Sequence, residues 1–438
     1  MGLGLTVTSH AGTLTGYRDA LDYLFARTTG GFKFGLERTR ELLGHVGNPE
    51  RRYPSLHIAG TNGKGSSVAT INALLAAKGL RVATYTSPHL VDFRERMVVG
   101  DVPIPAADVV DFITRYTPVV EEIGASFFEA TTVMAFDYFA RAGADVAVIE
   151  AGLGGRLDST NVLTPLVAGI TSIGLDHTEY LGTSLEEIAY EKAGIFKPGA
   201  PAVIGEPDAR IRALLADHAR RSGAATVRVA TEELRLDRVE VDGLGTTCEM
   251  RWRGEHAVLR TPLAGRHQAA NLVFALVMLD AAGPPFAVSL EHAARNLDAV
   301  RIPGRFQRLD RYIFDVAHNP AGADVLAQTI RAVHPAEPIT VVLCVLRDKD
   351  WREMIRTLSA VATRFILTMA PTAPTSRAWD LDEVLSFTHA VGVEAESIAD
   401  FEQALARARA NEGTVLVTGS FHTVGDAMTL LQVSPLAR

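Results

Sequence analysis

A lysine inside a glycine-rich loop, with a β-compatible run before it and a helical run after it, constrains this chain more than any other feature. The loop reads His57-Ile58-Ala59-Gly60-Thr61-Asn62-Gly63-Lys64-Gly65-Ser66-Ser67. Ser55–Ala59 predicts a strand, Ser67–Lys78 has helical periodicity, and Arg81–Tyr85 predicts a second strand within a few residues. Strand, crossover helix and strand imply a parallel sheet. In that setting backbone N–H groups and the helix N-terminus hold phosphate oxygens. Glycines let the backbone approach the phosphates, Lys64 supplies charge toward the outer ones, and Ser66 is expected to cap the helix while facing the nucleotide. Thr61, Asn62, Gly63, Lys64, Gly65 and Ser66 are therefore the candidate nucleotide-binding set. A plain glycine turn is the bland alternative, and the lysine between strand and helix disfavours it.

The loop departs twice from the pattern G-x-x-x-x-G-K-[ST]. Ile58 occupies the first glycine position, and Gly65 stands where a hydroxyl residue should follow the lysine. The second departure argues against a P-loop GTPase or kinase, which places its magnesium hydroxyl there.

At 438 residues the chain should divide in two, given roughly 100–200 residues per domain. Helical spacing between Tyr17 and Leu43 is broken by a turn at Thr28–Gly31. Strands are predicted at Val146–Glu150, Val167–Ile173 and Pro201–Gly205, alternating with helices at Phe128–Ala142 and Ser184–Ile195. Short alternating runs at Leu236–Val241, Cys248–Arg253 and Ala257–Arg260 suit a small accessory antiparallel sheet inside the first domain. Helices at Gln268–Ala282 and Leu290–Leu297 follow, then a linker at Arg301–Arg305. A second α/β alternation has strands at Tyr312–Val316, Thr340–Val345, Arg364–Met369 and Thr414–Thr418. The expected division is 1–300 and 301–438, with a cleft between them.

A formal net charge of −8 excludes a general nucleic-acid binder. Cys248 and Cys344 lie far apart without metal-binding spacing, so a reducing compartment is expected. The first residues lack a secretory pattern, and no run approaches the roughly 18 apolar residues of a membrane span. A soluble cytoplasmic protein without a membrane partner is the expectation.

Four further elements sit where ligands gather, at the C-terminal ends of parallel strands or near them. Ser87 lies in Tyr85-Thr86-Ser87-Pro88-His89-Leu90. Glu150 leads into Gly152-Leu153-Gly154-Gly155-Arg156-Leu157-Asp158-Ser159-Thr160-Asn161. His177 ends Gly174-Leu175-Asp176-His177, and Lys192 lies in Glu191-Lys192-Ala193-Gly194-Ile195-Phe196-Lys197. Glu150 is a hard oxygen donor suited to Mg²⁺, and His177 could reach a second metal or a transferring phosphate. Each has an ordinary alternative: a turn serine, a carboxylate paired with Arg156, a structural histidine and a solvated lysine. Together, beside a phosphate loop, they read as one site.

GTNGKGS, YTSPHL with a downstream ER, GLGGRLDSTN, DHTEYLG, EKAGIFK, GRHQAAN, PGRF, DVAHNP and GSF occur in this order. The set resembles the folylpolyglutamate synthase/dihydrofolate synthase family of the Mur ligase superfamily, from about Tyr17 to the end. The resemblance implies an N-terminal P-loop-type ATPase domain of parallel-sheet α/β fold and a C-terminal Rossmann-like α/β ligase domain. It assigns Ser87 and Glu150 to one Mg²⁺, and His177 to a second with a carbamylated lysine at Lys192. Asn271, Arg305 and Asp315 match positions that contact ATP, with His318 nearby. Leu157, Asp158 and Ser159 match the pterin side, as does Ser126 by spacing. Lys64, His177 and Lys192 are the implied catalytic set. The family usually has glycine at Val316 and alanine at Ser159; the first change adds bulk at a turn and bears on domain closure.

The resemblance also implies the activity. A carboxylate of dihydropteroate or a reduced folate is phosphorylated by ATP, and the amine of L-glutamate displaces phosphate from the acyl phosphate, in a chain expected to act as a monomer. Another amino-acid ligase of the superfamily is the nearest alternative, and EKAGIFK and GLGGRLDSTN argue against it. A catalytically silent ATP-binding module is the alternative from a different class.

Overall fold

Apolar runs that precede the glycine loops become the middle of a sheet buried on both faces. The computed structural model describes residues 16–28, 35–433 and 435. The first sheet contains β1 (Ser55–Ala59), β2 (Val82–Tyr85), β3 (Met97–Val99), β4 (Val102–Pro103), β5 (Val146–Glu150), β6 (Val167–Ile170), β7 (Ala202–Ile204) and β8 (Val227–Val229), ordered β4-β3-β2-β5-β1-β6-β7-β8. Every residue of β1 and β5 is buried. Alternate side chains serve opposite faces: Leu56, Ile58, Val146 and Val148 join a core with the helices Lys64–Ala76 and Arg266–Ala282. Ala147 and Ile149 pack on the other side with the helix Phe127–Arg141. The expected parallel order holds from β2 to β8, whereas β2–β3 and β3–β4 are antiparallel, so the sheet is mixed at that edge.

A second sheet of β9 (Arg235–Asp242), β10 (Gly245–Trp252) and β11 (Glu255–Thr261) is antiparallel, as the alternation predicts. Its inner residues Cys248, Met250, Trp252 and Leu259 complete the core under the first sheet. The third sheet comprises β12 (Gln307–Leu309), β13 (Tyr312–Phe314), β14 (Ile339–Leu343), β15 (Arg364–Leu367), β16 (Glu394–Ser397) and β17 (Thr414–Thr418), ordered β12-β13-β17-β14-β15-β16. It is parallel except for β12 against β13.

Differences from the sequence reading have local causes. The loop helix begins at Lys64, three residues earlier than predicted, because Gly63 turns the chain at φ 89° and is itself the N-cap. Ser66 therefore does not cap the helix; it lies buried in its first turn. β13 stops at Phe314 because the Asp315 carboxylate accepts from the N–H groups of Phe306 and Ala317 (both 2.9 Å) and turns the chain out of the sheet. β16 went unread because its Glu-Ala-Glu-Ser sequence carries no apolar alternation. Helices Tyr17–Ala26 and Glu37–Val46 appear as expected, while residues 29–31 of the predicted turn lie outside the described residues.

Gly169 sets the distance between β6 and the helix Arg266–Ala282. A Cβ there would lie 2.4 Å from Met278 Sδ and 2.6 Å from the Phe274 ring. Gly169→Val is expected to overpack this contact and lower unfolding stability by about 1–3 kcal/mol, measured by denaturant titration.

Candidate active site

The phosphate loop is braced from the neighbouring strand end. After β6 the chain leaves the sheet, and the hydroxyls of Thr171 and Ser172 donate to the Asn62 carbonyl (2.6 and 3.1 Å). Thr61 N–H donates to the Ser172 carbonyl (2.6 Å), and the Thr61 hydroxyl exchanges hydrogen bonds with Gly174 (3.0 and 3.1 Å). These contacts require bare backbone at two points. A Cβ at Gly60 would sit 1.9 Å from Thr171 Oγ1, and one at Gly63 would sit 2.4 Å from Asn271 Oδ1. Asn271, from the helix Arg266–Ala282, thus lies against the loop. The second departure of the loop also has a local reason: a Cβ on Gly65 would meet Ile302 of the linker at 3.0 Å.

Two ammonium groups converge on one carbonyl oxygen. Lys64 Nζ donates to Gly60 O (2.9 Å) and Thr61 O (3.1 Å), while Lys192 Nζ reaches the same Gly60 O at 3.0 Å. Glu150 Oε1 is 3.8 Å from Lys64 Nζ, and its Oε2 accepts from the Ser87 N–H at 3.3 Å. Lys192 is 5% exposed, so it is not a solvated helix lysine. Burial and the neighbouring Lys64 charge push its amine down to about 7. Glu150, also 5% exposed, is pushed up by burial, opposed by Lys64, the Ser87 N–H, Arg305 and Arg96. Arg156 pairs with Glu191 (2.8 Å), leaving Glu150 free of it.

Among the described residues, no three His, Cys, Asp or Glu side chains gather as a metal cage. Glu150 beside Ser87 fits a different arrangement, in which Mg²⁺ takes one or two protein oxygens and completes its shell with phosphate and water.

His177 stands at the third strand end in a left-handed conformation, φ 51°, with its side chain 38% exposed. Burial and nearby Lys349, His318 and Lys192 outweigh Asp176 and hold the imidazole down to about 4. It is therefore a neutral ring, partly accessible and electrostatically coupled to Lys192.

The second half of the site comes from the third sheet and its linker. Arg305 lies beside Gly65 with its guanidinium carbon 5.5 Å from the centre of the Phe421 ring. Asp315 spends both oxygens on backbone N–H groups, so here it shapes the turn as well as facing Arg305. His318 Nδ1 donates to Val316 O (2.9 Å), and its Nε2 is 3.3 Å from Asp176 Oδ2. The bulk of Val316 is absorbed in the core, where its methyl packs against Gly304 of the linker.

Ser126, which the family resemblance matches to the pterin side, is the N-cap of the helix Phe127–Arg141. Its hydroxyl accepts from Glu129 N (3.3 Å) and its N–H donates to Glu129 Oε2 (2.7 Å). Asp158 accepts from Leu153 N (2.8 Å) and Thr160 N (3.0 Å), bracing the loop that carries Leu157 and buried Ser159. Phe128 packs on Gly152 of that loop, bringing the two segments together. Beside them Arg96 Nε donates to His89 Nδ1 (2.8 Å), and Phe25, Phe93 and Phe127 form an aromatic cluster.

Asp176, Asn319, Lys349, Thr171, Ser172 and Arg96 were not singled out from sequence. Asp176 precedes His177 at a strand end, which was a usable signal; Lys349 sits in an Arg-Asp-Lys-Asp run that reads as a solvated loop.

Two family models match in tandem, the Mur ligase middle domain over residues 58–279 and the Mur ligase, glutamate ligase domain over 304–421. With the phosphate loop and paired sheets, they define a ligase of the Mur type. The chain is 32% identical over 425 residues to the dihydrofolate synthase/folylpolyglutamate synthase of Bacillus subtilis (strain 168), covering 94% of this chain and 98% of that one. The structure of E. coli FolC in complex with DHPP and ADP superposes with a TM-score of 0.85 at 32% identity, covering 96% and 98% of the two chains. A bifunctional folylpolyglutamate synthase/dihydrofolate synthase with Mn, AMPPNP and L-glutamate bound gives 0.82 at 31%, covering 96% and 99%. The chain belongs to the dihydrofolate synthase/folylpolyglutamate synthase family.

If the Ser126 hydroxyl serves chiefly as a helix cap, Ser126→Ala should cost about 1 kcal/mol of unfolding stability and Ser126→Asp should restore it, both read by thermal denaturation.

Proposed function

We propose that this chain joins L-glutamate to dihydropteroate, to reduced folate or to both, using ATP and releasing ADP and phosphate. The observation that carries the reading is the convergence of Lys64 and Lys192 on Gly60 O, with the Glu150 carboxylate beside them at the edge of the phosphate loop. The ligands of its relatives support it: DHPP and ADP in one, and Mn, AMPPNP and L-glutamate in another.

A free carboxylate does not condense with an amine, because its carbonyl is unreactive and oxide does not leave. In the proposed reaction a carboxylate oxygen attacks the γ-phosphorus in line, and the bond from that phosphorus to the bridging oxygen breaks with its electrons on ADP. Lys64, the loop N–H groups and Asn271 hold the phosphates, with Thr61, Asn62, Gly63, Gly65 and Ser66 forming the cradle. Glu150 and Ser87 would hold Mg²⁺, which would supply charge neutralisation at the transferring group. Arg305, Asp315 and His318 close on the nucleotide from the C-terminal side and exclude water. The glutamate amine then attacks the acyl carbon, the C–O bond to phosphate breaks, and the amine gives up a proton. Ser126, Leu157, Asp158 and Ser159 line the acceptor side.

We assign His177 and a carbamylated Lys192 to a second Mg²⁺. Lys192 is buried, and among the described residues its Nζ donates to Gly60 O and to no carboxylate. Its neutral amine nitrogen would bond to the carbon of carbon dioxide and lose one proton, giving a carbamate whose oxygens suit a hard metal ion. Both halves of the site come from one chain, which supports a monomer, with 1–300 and 301–438 as its two units. Among the described residues no helix is long and apolar enough to cross a membrane, and both cysteines are free and buried. We place the protein in the cytoplasm on the thiol observation.

Purified protein with ATP, Mg²⁺ and glutamate should release phosphate only when dihydropteroate or tetrahydrofolate is supplied, with a product heavier by one glutamate residue. Absence of acceptor-dependent release with both acceptors would contradict the assignment. Lys64→Ala should lower turnover by at least about 100-fold. Glu150→Gln should do the same, read as phosphate release with ATP, glutamate and acceptor. Full turnover in either variant would overturn the site.

A further inference from the structure

Asp176 belongs to the segment after β6, yet most of its side-chain partners come from the other side of the cleft. Its Oδ1 pairs with Lys349 Nζ, which follows β14, and accepts from the His177 N–H at 2.9 Å. Its Oδ2 accepts from Asn319 Nδ2 at 3.1 Å and lies 3.3 Å from His318 Nε2. Asp176 is 8% exposed and Asn319 2%. Asn319 is fixed by its own duty, since its Oδ1 caps the helix Pro320–Val333 by accepting from Gly322 N (2.8 Å). The same Asn319 Nδ2 is 3.5 Å from Asn62 Oδ1 in the phosphate loop. One carboxylate of the first unit is thus held by three side chains of the second, immediately beside the loop.

We propose that Asp176 is a positioning residue: with Lys349, His318 and Asn319 it forms the polar seat that holds the C-terminal unit over the phosphate loop. The charges that meet there explain why the seat is specific to this arrangement. Lys349, paired with Oδ1, supplies the opposite charge to the buried carboxylate, and Asn319 gives Oδ2 a directed donor. A second contact between the units is of a different kind. The Leu90 carbonyl, after β2, lies against the helix Phe421–Leu430, where a Cβ on Gly425 would be only 2.0 Å away. That contact is close packing without charge, so it limits approach, while the Asp176 seat supplies attraction and direction. Separation of the units would leave buried Asp176 and Lys349 without each other and would withdraw His318 and Asn319 from the loop.

The kinetic part of the test rests on the ligase assignment, whereas small-angle X-ray scattering of the nucleotide-free full chain needs no substrate. Asp176→Asn keeps the shape and removes the charge; Lys349→Met removes the partner. Each is expected to enlarge the radius of gyration while the melting temperature moves little, and to raise KM for ATP about 10-fold, because a smaller fraction of molecules is competent to bind. The double variant should be no worse than the more affected single one, since both remove the same contact. Unchanged scattering in the variants would overturn the proposal, as would losses that multiply in the double variant. Should Asp176→Asn fail to fold, Lys349→Met carries the test by the same two readouts.

Discussion

The Gly60 carbonyl oxygen accepts from two ammonium groups, and much of the site depends on how that is arranged. Lys64 arrives from the first turn of the loop helix, and Lys192 from a helix far along the chain. Two like charges on one acceptor are tolerable only with an anion nearby. Glu150 at the end of β5 is the protein's own, 3.8 Å from Lys64. Burial sharpens the arrangement by weakening the screening of these charges and by disfavouring the charged forms of Lys192 and Glu150. A phosphate chain entering beside Lys64 finds positive charge, loop N–H groups and a carboxylate placed to share a divalent cation.

The fold places these groups because strand ends of one parallel sheet lie side by side. β1, β5 and β6 are adjacent, so the phosphate loop, Glu150 and the Thr171–His177 segment open onto one edge. Thr171 and Ser172 then tie the loop down through Asn62, and the C-terminal unit contributes His318 and Asn319 through Asp176. Bracing of the phosphate loop and the position of the C-terminal unit thereby share a few residues after β6.

The sequence was most informative where a single physical signal dominated. The lysine-bearing glycine loop, the buried runs of β1, β5, β14 and β17, and the alternation of β9 to β11 could be read directly. Ser87, Glu150 and His177 were legible as candidates because chemistry-bearing residues at strand ends are conspicuous, and Lys192, in the helix Leu185–Ala193, because it stands in the EKAGIFK motif. Contacts made only by tertiary structure were not legible. Asp176 looked like a neighbour of His177, and nothing local marked Lys349, some 170 residues away, as its partner. The expected cap at Ser66 gave way to the left-handed turn at Gly63, a choice made by the loop's packing on Asn271. Asp315 gained a second duty, since its hydrogen bonds end β13.

The central claim is that this edge converts a carboxylate into an acyl phosphate before the amine arrives, and an oxygen label follows that bond directly. An acceptor carrying ¹⁸O in the reacting carboxylate would be turned over with ATP and glutamate, and the released phosphate analysed by mass. The account predicts one labelled oxygen in that phosphate, because the carboxylate oxygen that attacks phosphorus leaves with it. Phosphate without label, formed alongside glutamylated product, would contradict it.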